Sequence, residues 1–401
     1  MRPVIDPSAL TTWADFLLEH SLGGISASDR IMIKGEPITW PLLNVLQQGI
    51  IRRGGVPDLF LVPPDNNRGQ PWGAAMARFG SLKQIQTVPE WQRQRYESMT
   101  GYIEILGAEN PDAFTGWPPE AAMAISRADE PLKAIRLAKN WVLTLFPTPA
   151  FAAMEEMDLD EYTNLVVQAS TTDPAELDAV EDPIYRLMEE SDQVQIRTRD
   201  PRNGRALELC MDISGKHAVK CTGKRNFPDG EVFTSPDART PEGEIFVDLP
   251  VFYNGVTLQG IYLKLEAGRI VEYASLREQE TLRSIVETDE GSHRIGEVAL
   301  GMNAGLTRAL KHPLFVEKVG GTLHIAIGAS YPECYIEDPH SPAGREAQDA
   351  LYKEGILNRS AQHVDIVTDF RPGGCGLEVT LGGQHLEVRN GIWRVKSGES
   401  S

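Results

Sequence analysis

The apolar positions of the N-terminal half change period several times. Trp13–His20 carries them at helical spacing, Arg30–Lys34 alternates like a strand, and Trp40–Arg53 returns to a helical period until Gly54-Gly55 stops it. Leu59–Val62 then forms a short apolar run. Strand, helix and strand joined by short connections predict a parallel β-α-β unit. Tyr102–Leu106 and Trp141–Phe146 predict two more strands, the second preceded by a helix over Glu130–Ala138. No G-x-G-x-x-G follows the first strand, so a dinucleotide site would lack its phosphate-binding turn. Glu155–Asp192 holds thirteen acidic residues and one basic residue, Arg186. Tyr162, Leu165 and Val166, and later Ile184, Leu187 and Met188, keep helical spacing within it, which predicts helices with solvated charged faces.

From Ala206 the pattern becomes strand-like. Ala206–Ile213, Glu244–Val251, Val256–Leu265 and Arg269–Ala274 predict strands, with turn signals at Asn254-Gly255 and Ala267-Gly268. Leu377–Leu381, His385–Val388 and Ile392–Val395 follow, separated by Gly382-Gly383 and Asn390-Gly391, and helices are expected over Glu278–Glu290 and Ala343–Glu354. The polar run Arg197–Asn203 reads as a domain boundary. The expectation is an α/β N-terminal domain with a parallel sheet, residues 1–200, and a mixed, β-rich α+β C-terminal catalytic domain, residues 201–401.

Bulk properties narrow the function classes. A chain of 401 residues can bury two cores, and its 41% hydrophobic and 24% charged content is that of a globular protein. The net charge of -18 argues against nucleic acid or an anionic membrane as partner. The longest apolar-rich run, Trp141–Met154, is 14 residues long and broken by Pro147 and Pro149, too short to span a bilayer. Cys210, Cys221, Cys334 and Cys375 form no C-x-x-C pair, and the N-terminus lacks a signal-peptide apolar segment. A cytoplasmic protein with reduced thiols is expected.

Within Gly230–Asp365, short apolar runs each carry polar side chains that a buried strand does not need. Glu231 and Glu297 both follow glycine and precede valine, and His324 opens an otherwise apolar run ending at Gly328. A hydrogen-bonded core role explains a single such histidine as well as metal ligation does. His363-Val364-Asp365 is more informative, because residues i and i+2 of a strand project from one face. An unpaired buried carboxylate costs several kcal/mol or takes up a proton. Three carboxylates and two histidines are most simply satisfied by sharing cations, and this set can hold two divalent ions. The other six histidines, His20, His217, His293, His312, His340 and His385, sit beside charges or turns and are expected at the surface.

In order along the chain, Asn226-Phe227-Pro228-Asp229-Gly230-Glu231-Val232-Phe233-Thr234-Ser235-Pro236, Arg294-Ile295-Gly296-Glu297, Glu317-Lys318, Gly321–Gly328, Tyr331, Ser360 and His363-Val364-Asp365 resemble the M29 metallopeptidases, the aminopeptidase T and S type. Thr144–Pro149 extends the resemblance into the first half. It implies a homodimeric two-metal exopeptidase that hydrolyses short peptides with a free N-terminus through a metal-bridged hydroxide. It implies Glu231, Glu297, His324, His363 and Asp365 as ligands of two divalent ions (Zn, Co, Mn or Mg); as a mechanism, Glu297 is expected to be the carboxylate shared between them. Tyr331 matches the catalytic tyrosine, and Glu231 is either ligand or general base. The family's further acidic ligand is matched by Glu317, at a different spacing. A long segment between Tyr331 and His363, including Glu337-Asp338-Pro339-His340, departs from the pattern and is expected beside the mouth of the site. The scaffold also looks like that of iron-dependent pyridine-ring dioxygenases, in which His324, His363 and Asp365 would hold a single Fe(II). A metal or peptide binder without catalysis is the third reading.

Overall fold

The computed structural model describes residues 3–63, 73–109, 119–253 and 256–396. Contacts divide the chain into two units, Met1–Pro174 with Gly223–Pro228, and Ala175–Thr222 with Asp229–Ser401. The first is an α/β unit. Strands β1 (Arg30–Gly35), β2 (Val56–Leu61), β3 (Gly101–Leu106) and β4 (Asn140–Leu145) lie parallel in the order β2-β1-β3-β4, and the two-residue strand Asn226–Phe227 pairs with β4. Helix α1 (Trp40–Arg52) crosses from β1 to β2 with Leu42, Leu43, Leu46 and Ile50 buried, one apolar stripe at helical spacing. Helix α2 spans Pro119–Leu137, starting eleven residues before the expected Glu130.

The order reverses between β1 and β3, the kind of point where open α/β sheets bind ligands. Here it is filled. Glu104 receives Lys34 at 2.7 Å, Arg136 at 3.3 Å and the Tyr102 hydroxyl at 3.0 Å. A cavity of only about 10 Å³ remains.

The second unit is β-rich. Helices α3 (Leu159–Ser170), in the first unit, and α4 (Pro174–Glu189), almost wholly in the second, account for most of the acidic segment. Their apolar stripes are buried as expected, but Glu155 and Glu181 are buried too, which corrects the picture of uniformly solvated charge. Arg197–Asn203, read as a domain boundary, is instead the end of β5 (Gln193–Arg199) and the turn into its hairpin partner β6 (Ala206–Asp212). Its polarity serves the turn: Asp200, itself buried, accepts from the backbone of Arg202 and from its guanidinium at 2.8–3.1 Å.

This hairpin belongs to a nine-stranded antiparallel sheet with Val251–Tyr253, Val256–Glu266, Arg269–Arg277, Glu242–Val247, Gly376–Leu381, Gln384–Arg389 and Ile392–Val395. The strand expected over Glu244–Val251 breaks at Asp248-Leu249-Pro250. There Asp248 accepts from the backbone N–H groups of Asp369 and Cys375 at 2.9 and 2.8 Å. The turn signal at Asn254-Gly255 lies outside the described residues, whereas Ala267-Gly268 forms its turn with both residues at positive φ.

Facing it is a five-stranded antiparallel sheet of β7 (Val219–Cys221), β8 (Glu231–Thr234), β9 (Ile295–Gly301), β10 (Thr322–Gly328) and β11 (His363–Asp369), in the order β11-β10-β9-β8-β7. Val298, Leu300, Leu323, Ile325, Ile327 and Ile366 on one face join Ile196, Leu209, Ile245 and Leu263 of the larger sheet in a common core. The other face carries the candidate ligands. Among the described residues, no helix is long and apolar enough to cross a membrane.

Candidate metal centre

Register places every expected ligand of these strands on one face. Directly opposed residues of an antiparallel pair share a face, as do residues two apart along a strand. Glu231 opposes Gly301, His324 opposes Ala299, Glu297 and Asp365 both oppose Ala326, and His363 opposes Gly328. Each candidate ligand position thus has an alanine or glycine across one flank, with Val367 across the other flank of His324. Small neighbours keep this face open between the ligand side chains, while the alternate residues fill the core behind it.

The two glycines preceding the glutamates have steric reasons. Gly230 adopts φ +136, and a Cβ there would come within 2.7 Å of Asn303 Cβ. At Gly296, where the β9–β10 register shifts, a Cβ would lie 2.1 Å from the Ala329 carbonyl oxygen. Only glycine permits these close approaches.

The side chains form a nearly continuous ring. His363 Nε2 lies 3.0 Å from Glu297 Oε2 and 3.5 Å from Asp365 Oδ1. His324 Nε2 lies 3.7 Å from Glu297 Oε1 and 3.6 Å from Glu231 Oε2. Lys318 Nζ donates to Glu231 Oε1 and stands 3.2 Å from Glu317 Oε2, closing the ring at the back. Tyr331 sits over the face, its ring centroid 4.8 Å from that of His363 and 5.0 Å from that of Phe233. His363 Nδ1 lies 2.8 Å from the Ala329 carbonyl. An Nδ1–H donated there leaves Nε2 as the lone-pair nitrogen facing the ring, the usual orientation of a ligating imidazole.

This ring fits divalent cations. Glu231 Oε2 and Asp365 Oδ1 are buried and lack a hydrogen-bond partner. Glu297, His324 and Asp365 each offer a ligand atom within 4.8 Å of the others. Without a metal, protons do the neutralising. Burial opposes charge on His324, but hydrogen bonding to Glu297 and the charges of Glu297 and Glu231 raise its pKa to about 9. Burial likewise opposes charge on His363, yet Asp365 and Glu297 raise it to about 11. Asp365 is held well below the carboxylate range, against burial, mainly by His363. Glu297 is lowered too, against burial, by hydrogen bonds to both histidines. Glu317 moves the other way, pushed well up by burial and then by the Asp365 charge. A site this negative selects cations.

The residues expected from sequence therefore lie together: Glu231, Glu297, His324, His363 and Asp365 in the ring, Tyr331 above it, and Glu317 linked to it through Lys318. Lys318 carried no expected role, yet it is fully buried against acidic groups, including Asp229 at 3.7 Å. A second acidic group, Cys221, Asp229 and Glu231, converges on one point. The Lys318 ammonium touches two of its three members, so it already has a resident cation. Glu181 is buried beyond it, its pKa raised to about 10 by burial and then by Asp229 and Glu231. His312, expected at the surface, instead caps the helix Pro313–Val316, its Nδ1 accepting from Leu314 N at 3.2 Å. The only advance signal for Lys318 was its place beside Glu317.

Residues 7–372 match the family described as thermophilic metalloprotease (M29), and the chain belongs to that family. It is a metal-dependent peptide hydrolase. Among relatives, aminopeptidase T of Thermus thermophilus is 29% identical over 292 residues, covering 65% of this chain and 68% of that protein. The solved structure of wild-type AmpT from Thermus thermophilus superposes with a TM-score of 0.73 at 21% identity, covering 97% of this chain and 99% of its own. A 2,5-dihydroxypyridine dioxygenase from Pseudomonas putida KT2440 superposes with a TM-score of 0.55 at 12% identity, covering 99% of each chain. At such identities these two likenesses speak to the fold alone.

Proposed function

We propose that this chain is an aminopeptidase that removes N-terminal residues from short peptides at a two-ion centre. The supporting observation is the ring itself: four carboxylates and two imidazoles around an Ala- and Gly-lined face, with buried ligand atoms that lack partners. Glu231, Glu297, Glu317, His324, His363 and Asp365 would hold the ions, whether Zn, Co, Mn or Mg. When bound, such ions supply Lewis acidity at the scissile carbonyl and acidify a water to hydroxide. Glu297, which lies near both histidines, would serve both ions. Glu231 has one oxygen committed to Lys318, which leaves Oε2 for an ion or for a proton in transit. Tyr331 donates its hydroxyl to the oxyanion, and the substrate's free α-amine is held by a ring carboxylate. The same reading carries a homodimer acting in the cytoplasm, and the four cysteines are all free thiols.

The competing dioxygenase reading uses only His324, His363 and Asp365. It leaves Glu297 and Glu231 buried against those histidines without a role, which disfavours it. Elemental analysis with an aminoacyl-amide hydrolysis screen tests the proposal. Two Zn, Co or Mn per chain with hydrolysis are expected, both lost in a folded Glu297→Gln variant. One iron per chain with oxygen uptake on a dihydroxypyridine, or full activity of the variant, would overturn it.

A further inference from the structure

Beside the ring lies a cleft of about 120 Å³. It opens where the catalytic sheet ends: β11 is the edge strand, so beyond it Val251–Tyr253 and the helix Pro313–Val316 form walls rather than another strand. His363, Asp365 and Glu317 line one side, so whatever occupies the cleft is adjacent to the ring. The other walls are Val251, Phe252, Pro313 and Val316, with Lys311 also on the lining.

We propose that this cleft receives the side chain of the substrate's N-terminal residue and selects branched aliphatic ones, leucine, isoleucine and valine. The inference rests on the aminopeptidase reading. A peptide with its first carbonyl at the ring places its first side chain one residue's reach away, and the cleft is the apolar space found there. Its size favours a short branched group: a cavity of roughly 150 Å³ lined by Leu, Ile and Phe holds a benzene ring, so a cleft of about 120 Å³ suits an isobutyl group better than an indole. Its chemistry sets the class. Valine, phenylalanine and proline walls reward apolar surface.

The test uses the full chain reconstituted with cobalt or zinc and a panel of aminoacyl p-nitroanilides. Leucyl substrate is expected to exceed tryptophanyl substrate in kcat/KM by at least about tenfold, the discrimination that pocket size and apolar contact typically supply. Phe252→Ala widens the cleft and should raise the phenylalanyl-to-leucyl ratio by about tenfold. Val251→Phe narrows it and should move the preference to alanine, with metal content unchanged. Binding is read apart from turnover by the rise in melting temperature with L-leucinol, expected for the wild type and lost in Val251→Phe. Should that variant not fold, Phe252→Ala, at a half-buried position, carries the test. Equal kcat/KM across the panel, or ratios unmoved in the folded variants, would overturn the cleft assignment while leaving the aminopeptidase reading intact. No hydrolysis of any member at full metal occupancy would remove both.

Discussion

Lys318 shows how one buried side chain can organise its neighbours. Its ammonium is bound to Glu231, lies 3.2 Å from Glu317 and 3.7 Å from Asp229, and has almost no contact with solvent. By taking Oε1 of Glu231, it leaves Oε2 facing His324. Removing one partner of a buried ion pair leaves uncompensated charge, which typically costs about 3–5 kcal/mol. Lys318→Met should therefore destabilise the metal-free protein by about that amount in urea titrations. Divalent cation should restore part of the loss, because a second cation can take the place of the ammonium. A variant as stable as the wild type without metal would mean the carboxylates are protonated instead. Tyr331 belongs to the same scale. Its ring is fixed by Phe233 and His363, so Tyr331→Phe should keep the ring in place and lose only the hydroxyl. Turnover is expected to fall by about 10²–10³, the range for removing one oxyanion donor, with metal stoichiometry unchanged. Altered stoichiometry would make the hydroxyl a ligand.

At the scale of elements, the site is a property of strand register. Gly296 sits where the β9–β10 pairing shifts, and the residue after it is Glu297. A methyl group on Gly296 would meet backbone oxygens of Ala329 and Gly328 at 2.1 and 2.5 Å. The same Ala329 carbonyl lies against His363 Nδ1. Gly296→Ala should accordingly cost about 1–3 kcal/mol through overpacking and also weaken metal binding, because relief of the clash displaces a carbonyl that orients a ligand. Thermal melts and chelator competition measure the two effects, and a stability loss with unchanged metal affinity would separate the bulge from the site. The elements themselves were legible from their periods. Strands β9, β10 and β11 were marked by short apolar runs with their lone polar residues, and the Gly-Glu pairs marked where carboxylates enter. Less legible was the break at Pro250, where Asp248 captures two N–H groups of residues far along the chain. Arg197–Asn203 misled for a related reason: polar residues that serve a hairpin turn look like those of a linker.

At the scale of the whole molecule, the two units divide labour by how they neutralise charge. In the first, Glu104 is neutralised internally by Lys34 and Arg136, whereas the second gathers buried carboxylates with unpartnered oxygens. This has a pH signature. In the metal-free fold His324 and His363 titrate near 9 and 11, above the ordinary histidine value of about 6.5. Their contribution to stability is therefore fully present below about pH 6.5 and lost as pH rises through 9 towards 11. The metal-free protein is expected to lose stability over that window, while the metal-loaded protein does not. Apparent metal affinity should rise over the same range, with protons released on binding. Calorimetry in buffers of different ionisation heat counts those protons, and release of none would mean that the imidazoles bind metal from the neutral state.

Sequence by itself determined which residues can serve as ligands and which stretches carry them, because side-chain chemistry and strand period are local properties. It also determined the two architectures, since a β-α-β rhythm and an all-strand rhythm differ within a few residues. Tertiary structure alone decided which of those residues meet. Strand order brings Glu231 of β8 beside His324 of β10 across the small residues of β9, and nothing in the spacing of residues 231 and 324 dictates that. It also decided that Lys318 rather than solvent faces the back carboxylates, and that Glu181 is buried within an acidic helix that reads as exposed. Burial and long-range charge are summed over the whole fold, so they exist only once the chain has closed on itself.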